Sequence, residues 1–251
     1  MFNKRLIPII TPIIIYLFSQ AFLWQPNLFF PGLALGSLAI ILSVRYAMTK
    51  HQEDWLLFVS APVLFWLGFS GYAAIIVSHW LIQSVFLLEL WFIFVYLRDL
   101  YYYSNQSEAE WSPRLDNLFM AGGFLTIFAS AAVFFALPSF LTLPVGLSFL
   151  ALLLILGLSL SQFFANKKEH WRRSLPVFIV VLLSLVELAG GLSLLPLNFN
   201  VLALFLAFIY YFGLTVLRLY YSGSLNRRAI KLPLWLSALA LLALLLTARW
   251  L

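Results

Sequence analysis

Residues 117–166 read NLFMAGGFLTIFASAAVFFALPSFLTLPVGLSFLALLLILGLSLSQFFAN, fifty residues without one Lys, Arg, Asp or Glu. An α-helix crosses the ~30 Å hydrocarbon layer of a membrane with about 20 apolar residues, so this stretch has the length of two crossings and a turn. Turn chemistry stands near its middle, from Pro138-Ser139 to Pro144. Helices apolar on every side belong inside a bilayer or a large core, and a 251-residue chain has no soluble core large enough for two of them.

The rest of the chain repeats this pattern. Cutting it at its charged clusters leaves 6–44, 55–97 and 174–217, each about two spans long, and 232–248, one short span. Their centres also carry turn residues: Gln25-Pro26-Asn27, Gly68-Phe69-Ser70-Gly71, and Pro196 with Asn198 and Asn200. The expectation is an all-α polytopic transmembrane bundle of eight to nine spans, at 6–23, 28–46, 55–70, 72–97, 118–137, 143–164, 175–195, 201–218 and 232–248. Composition agrees, with 64% hydrophobic and only 10% charged residues. In soluble domains these fractions are about half and about a quarter.

Charge placement orients the bundle. Lys4, Arg5, Arg45, Lys50, Arg98, Arg114, Lys167, Lys168, Arg172, Arg173, Arg218, Arg227, Arg228 and Lys231 fall on one side of these spans, and Arg249 on the other. The positive-inside rule then expects a cytoplasmic-type membrane, with the N-terminus inside and the C-terminus outside. Lys4 and Arg5 precede an apolar run that ends Ala21-Phe22-Leu23-Trp24 without a small-x-small cleavage site, so the first helix is read as retained. The basic residues form no dense patch, and no nucleic-acid partner is expected. Membrane lipid, a partner membrane protein or a second copy of the chain are the partners considered.

Residues 1–251 form one integral membrane domain with signs of a tandem 4+4 plan, 1–116 and 117–231, followed by an extra helix at 232–251. Leu97-Arg98-Asp99-Leu100-Tyr101-Tyr102 ends the fourth span and Leu217-Arg218-Leu219-Tyr220-Tyr221 the eighth. Such repeats share one orientation, because each holds an even number of spans. The polar segment Arg98 to Asn117 is read as interfacial tyrosines and a solvated loop, and the sequon Asn105-Gln106-Ser107 within it lies on the cytoplasmic side.

Several chemistries are excluded. Without cysteine there is no disulfide, thiolate nucleophile or iron–sulfur cluster. The His51, Glu53, Asp54 group and the Glu169, His170 pair lack metal-site spacing and read as solvated loop residues. A phosphate-binding glycine loop is absent too, and no metal and no cofactor is expected. Gly68-Phe69-Ser70-Gly71 resembles the short motif around the nucleophile of rhomboid intramembrane proteases, over four residues only. The histidine-bearing helix that this family requires has no counterpart, and the motif is read as a hairpin turn.

Ionisable groups at membrane depth cost several kcal/mol unless paired or hydrated, which makes them the candidate site. There are three: His79 in the outer part of the fourth span, Glu89 in its inner half, and Glu187 near the middle of the seventh. On a helical wheel Ser78, Ile82, Val85 and Glu89 share a face, with His79 and Gln83 about 80–100° round from it. Glu187 has Ser184 before it and Ala189-Gly190-Gly191 after it, small residues that admit a neighbouring helix. The first expectation is a small secondary transporter or permease that uses Glu89, Glu187, His79 and Gln83 for substrate or proton coupling. The alternative is a non-catalytic membrane subunit or scaffold in which the carboxyls are hydrogen-bonded between helices. A lipid-active enzyme ranks third, because the polar groups are isolated, and no catalytic residue is assigned.

Overall fold

A computed structural model describes residues 6–48, 55–105, 108–140, 145–165 and 171–221, with a few between 231 and 242. The elements are helices: α1 Ile7–Trp24, α2 Phe29–Ala47, α3 Trp55–Ile75, α4 His79–Asn105, α5 Glu108–Phe140, α6 Val145–Ala165, α7 Trp171–Leu192 and α8 Phe199–Tyr221, with a short 3₁₀ turn at Pro26–Leu28. Seven of them are long and apolar enough to cross a membrane, and α6 contains a shorter apolar segment, Gly146–Gln162. The chain is a polytopic α-helical membrane bundle. The ninth span expected at 232–248 lies largely outside the described residues.

Two boundaries differ from those read in the sequence. The turn expected at Gly68–Gly71 is absent: α3 runs unbroken to Ile75, and the connection to α4 is Ile76-Val77-Ser78. A glycine inside a helix costs about 1 kcal/mol relative to alanine. Opening the helix within the apolar layer instead leaves backbone groups unsatisfied at several kcal/mol each, so continuity wins. The polar segment from Arg98 to Asn117 is also mostly helical, because α4 continues to Asn105 and α5 begins at Glu108. At 1.5 Å per residue the 27 residues of α4 span about 40 Å, more than the hydrocarbon layer. Its last turns still bury Leu97, Leu100 and Ser104, which sustains the helix beyond the layer.

The helices group into two compact units, residues 1–126 and 127–251, and the boundary between them falls inside α5. In the first unit α1 packs against α4 and α2, and α3 against α2 and α4. α1 and α4 run antiparallel, since Gln20 meets Gln83 while Pro8 and Ile9 share a cavity with Phe94 and Arg98. The core is aromatic: Phe65 stacks on Phe92 with ring centroids 3.9 Å apart, and Tyr96 meets Phe119 edge-on at 5.8 Å. Two glycines make room for it. A Cβ on Gly122 would strike the Phe92 ring, and one on Gly36 would stand 2.8 Å from the indole of Trp66.

Pro62, inside α3, has no N–H for the carbonyl of Phe58 one turn earlier. Tyr96 Oη of α4 donates to that carbonyl at 2.7 Å and fills the gap. A neighbouring helix thus supplies the bond that proline removed, the usual condition for proline within a membrane helix.

In the second unit α7 packs against α6 and against α8. Leu156, Leu160, Ala189, Leu206 and Ala207 are buried there. Ser159 of α6 and Tyr210 of α8 share a buried hydrogen bond of 2.7 Å.

Candidate functional site

Glu89 lies ten residues after His79 and nine before Arg98, about 15 Å and 14 Å along α4, and so within the apolar stretch of that helix. Its relative exposure is 1%. Ser70 of α3 donates its hydroxyl to Oε1 at 3.2 Å, and Ser19 of α1 lies with its hydroxyl 3.4 Å from Oε2. Three helices therefore converge on one carboxyl, each of its oxygens facing a hydroxyl from a different helix. Among the described residues no Lys, Arg or His forms an ion pair with it.

Ser19 has two acceptors in reach, Glu89 Oε2 and the carbonyl of Ile15 at 3.1 Å, but only one hydroxyl proton. When it donates to Ile15, the contact with Glu89 is complete only if the carboxyl carries a proton and donates to Ser19 Oγ. When it turns to Oε2, it serves a carboxylate. The same cage thus accommodates both protonation states by rotation of one hydroxyl.

Beside this cluster Gln20 and Gln83 form a reciprocal amide pair: Gln20 Nε2 donates to Gln83 Oε1 at 2.8 Å and Gln83 Nε2 to Gln20 Oε1 at 3.2 Å. At the other end of α1, Thr11 and Ser43 join it to α2 through a hydroxyl contact of 2.6 Å. The α1 interfaces are thus polar at three levels, although α1 contains no charged residue.

The four residues singled out in the sequence fare differently. Glu89 and Gln83 both turn toward α1 and belong to one polar seam. His79 is the first residue of α4 and is exposed, since moving the turn to Ile76–Ser78 places it at the helix end. Glu187 belongs to the second unit, where it is exposed on α7 five residues, about 8 Å, before the helix ends at Leu192. It has no hydrogen-bond or ion-pair partner among the described residues. Ser19, Gln20 and Ser70 carry the site but were not chosen from the sequence. An adjacent Ser-Gln pair in a span without charged residues is the signal for the first two, while Ser70 lies in the glycine-flanked stretch that reads as a turn.

The cavities described at the end of the first unit that carries Arg45 and Arg98 are not lined by Glu89, Gln83, Ser19 or Ser70. Among the described residues no cluster of three His, Asp or Glu side chains suits a metal. His51, Glu53, Asp54, Glu169 and His170 lie outside the described residues.

Fold and site together define a multi-pass integral membrane protein with a buried carboxyl held between α1, α3 and α4. No known protein family, curated protein or solved structure matches the chain.

Proposed function

We propose that this protein is a small secondary carrier or permease whose proton-coupling group is Glu89, seated in a cytoplasmic-type membrane with its N-terminus inside. The observation that carries this reading is the two-serine cage around a carboxyl within the apolar stretch of α4. An amide or a hydroxyl at position 89 would tie the three helices together equally well. A carboxyl adds the capacity to take up and release a proton, and the shared Ser19 hydroxyl suits both states. The close packing of α1, α3 and α4 around Glu89 fits the occluded stage of an alternating-access cycle, in which their separation admits water and solute. The orientation rests on Arg45, Arg98, Arg114 and Arg218, which stand at the ends of α2, α4, α5 and α8 that face one side if every helix crosses.

The test is accumulation of a panel of labelled amino acids, sugars, nucleosides and organic acids in proteoliposomes under an imposed pH gradient. Glu89→Gln keeps both serine contacts and should abolish gradient-driven accumulation while leaving downhill exchange and expression intact. Aqueous thiol reagents should also modify Ser19→Cys or Ser70→Cys at pH 5 or pH 8. The reading fails if no solute accumulates and both cysteines stay closed at both values.

A second reading, a non-catalytic subunit that binds a partner helix, is favoured by one observation. Exposed Glu187 shares the uncovered face of α7 with Val180, Ser184 and Gly191. It fails if the protein extracted in mild detergent is monodisperse and free of any stable partner.

A further inference from the structure

A cavity of about 530 Å³ opens between the start of α1 and the last turns of α4. On α4 it is lined by Phe94, Arg98, Tyr101, Tyr102 and Asn105, spaced so that they share one face of the helix. From α1 come Pro8 and Ile9. The lining is graded. Phe94 is the deepest of the α4 residues, with Ile9 supplying apolar surface opposite, and the guanidinium, phenols and amide follow over the next 11 residues, about 16 Å, toward the helix end.

The polar end is fixed in place. Arg98 Nε and Nη2 both donate to Asp99 Oδ1, at 2.9 and 2.8 Å, and the guanidinium lies 5.8 Å from the centre of the Phe94 ring. Asp99 is buried, whereas 41% of the Arg98 side chain is exposed. The carboxylate thus holds one edge of the guanidinium and leaves donors on the other. Asp99 also offsets the arginine charge, and a second cation stands nearby. Tyr102 stacks on Trp111 at 4.7 Å, and the Arg114 guanidinium covers the same indole at 4.5 Å. The buried Trp111 Nε1 donates to nothing among the described residues. α1 begins beside the cavity with no side-chain cap on its first turn, so the positive end of its dipole adds to the field.

We propose that this cleft is a binding site for an anionic phospholipid, with the headgroup phosphate held by Arg98 and Tyr101 and an acyl chain laid along Ile9 and Phe94. The apolar deep wall selects a lipid over free phosphate, which needs only the polar end. The cleft lies at the membrane interface, where an arginine next to phenols meets headgroups.

The experiment is native mass spectrometry of the full chain in detergent, titrated with dioleoyl phosphatidylglycerol, dioleoyl phosphatidylcholine or sodium phosphate. Wild type should retain one phosphatidylglycerol in preference to phosphatidylcholine, and millimolar phosphate should not displace it. Arg98→Gln should weaken retention by about tenfold or more, the scale of a lost charge-assisted bond. Because that change strands Asp99, two milder variants accompany it: Tyr101→Phe, expected to weaken retention several-fold, and Ile9→Trp, which fills the apolar wall and should abolish it. Retention unchanged in the latter two overturns the proposal. Displacement by phosphate with no effect of Ile9→Trp overturns the lipid and leaves a phosphate site.

Discussion

Removing the Tyr96 hydroxyl tests the packing of the first unit most directly. Tyr96→Phe deletes a 2.7 Å bond and leaves the Phe58 carbonyl without a donor, because Pro62 supplies none. Interhelical hydrogen bonds in membrane proteins average about 0.6 kcal/mol and reach about 1.7. An orphaned buried carbonyl costs about 1–3 kcal/mol. The expected loss is therefore at the upper end, about 1.5–2 kcal/mol. In a Pro62→Ala background the new N–H reaches the Phe58 carbonyl along the helix, and the same tyrosine change should cost about 0.5 kcal/mol. A double-mutant cycle, read by tryptophan fluorescence during denaturation of detergent-solubilised protein with dodecyl sulfate, should thus give a coupling of about 1–1.5 kcal/mol. Equal costs of Tyr96→Phe in both backgrounds would refute the repair of the proline gap by Tyr96.

The two serines of the Glu89 cage should differ: Ser70→Ala removes a dedicated 3.2 Å donor, while Ser19 sits 3.4 Å away and has Ile15 as a second acceptor, so Ser70→Ala should be the more destabilising in the same denaturation assay. Glycine substitutions should split by site. Gly122→Ala collides with Phe92 and should lose about 1–3 kcal/mol. Gly213→Ala, with nothing within 4 Å of the new methyl, should gain up to about 1 kcal/mol. Because the chain has no cysteine, single-site labelling reads its topology. Five helices separate Val77 from Tyr220, so an impermeant maleimide should label Val77→Cys on intact cells and Tyr220→Cys only after permeabilisation. Labelling of both from outside would mean that α6 does not cross.

Much of the fold was legible in apolar run lengths, because a membrane helix must satisfy its own backbone and its length is set by bilayer thickness. The turn at Gln25–Asn27 was legible from its sequence, because a proline flanked by two amides between apolar runs of span length disfavours the helical conformation of the residue before it. Gly68-Phe69-Ser70-Gly71 misled because glycine preference is local and weak, whereas the penalty for opening a helix depends on depth. At the site, Glu89 was visible as an acid in an apolar run, but serine is common in membrane helices and carries no label for its partner. His79 was misplaced through the same turn. Nothing in the order of residues shows that α1 lies against α4, since nearly all its positions are apolar and any could face lipid.

By itself the sequence determined that this is a polytopic helical membrane protein, because apolar length and the scarcity of charge act through the bilayer without reference to other helices. Only the tertiary structure decided that Ser19 and Ser70 meet Glu89, that Gln20 pairs with Gln83, and that Tyr96 repairs Pro62. Each of these bonds joins residues of different helices, and which helices meet is settled by side-chain packing, to which hydrophobicity is blind once every face is apolar.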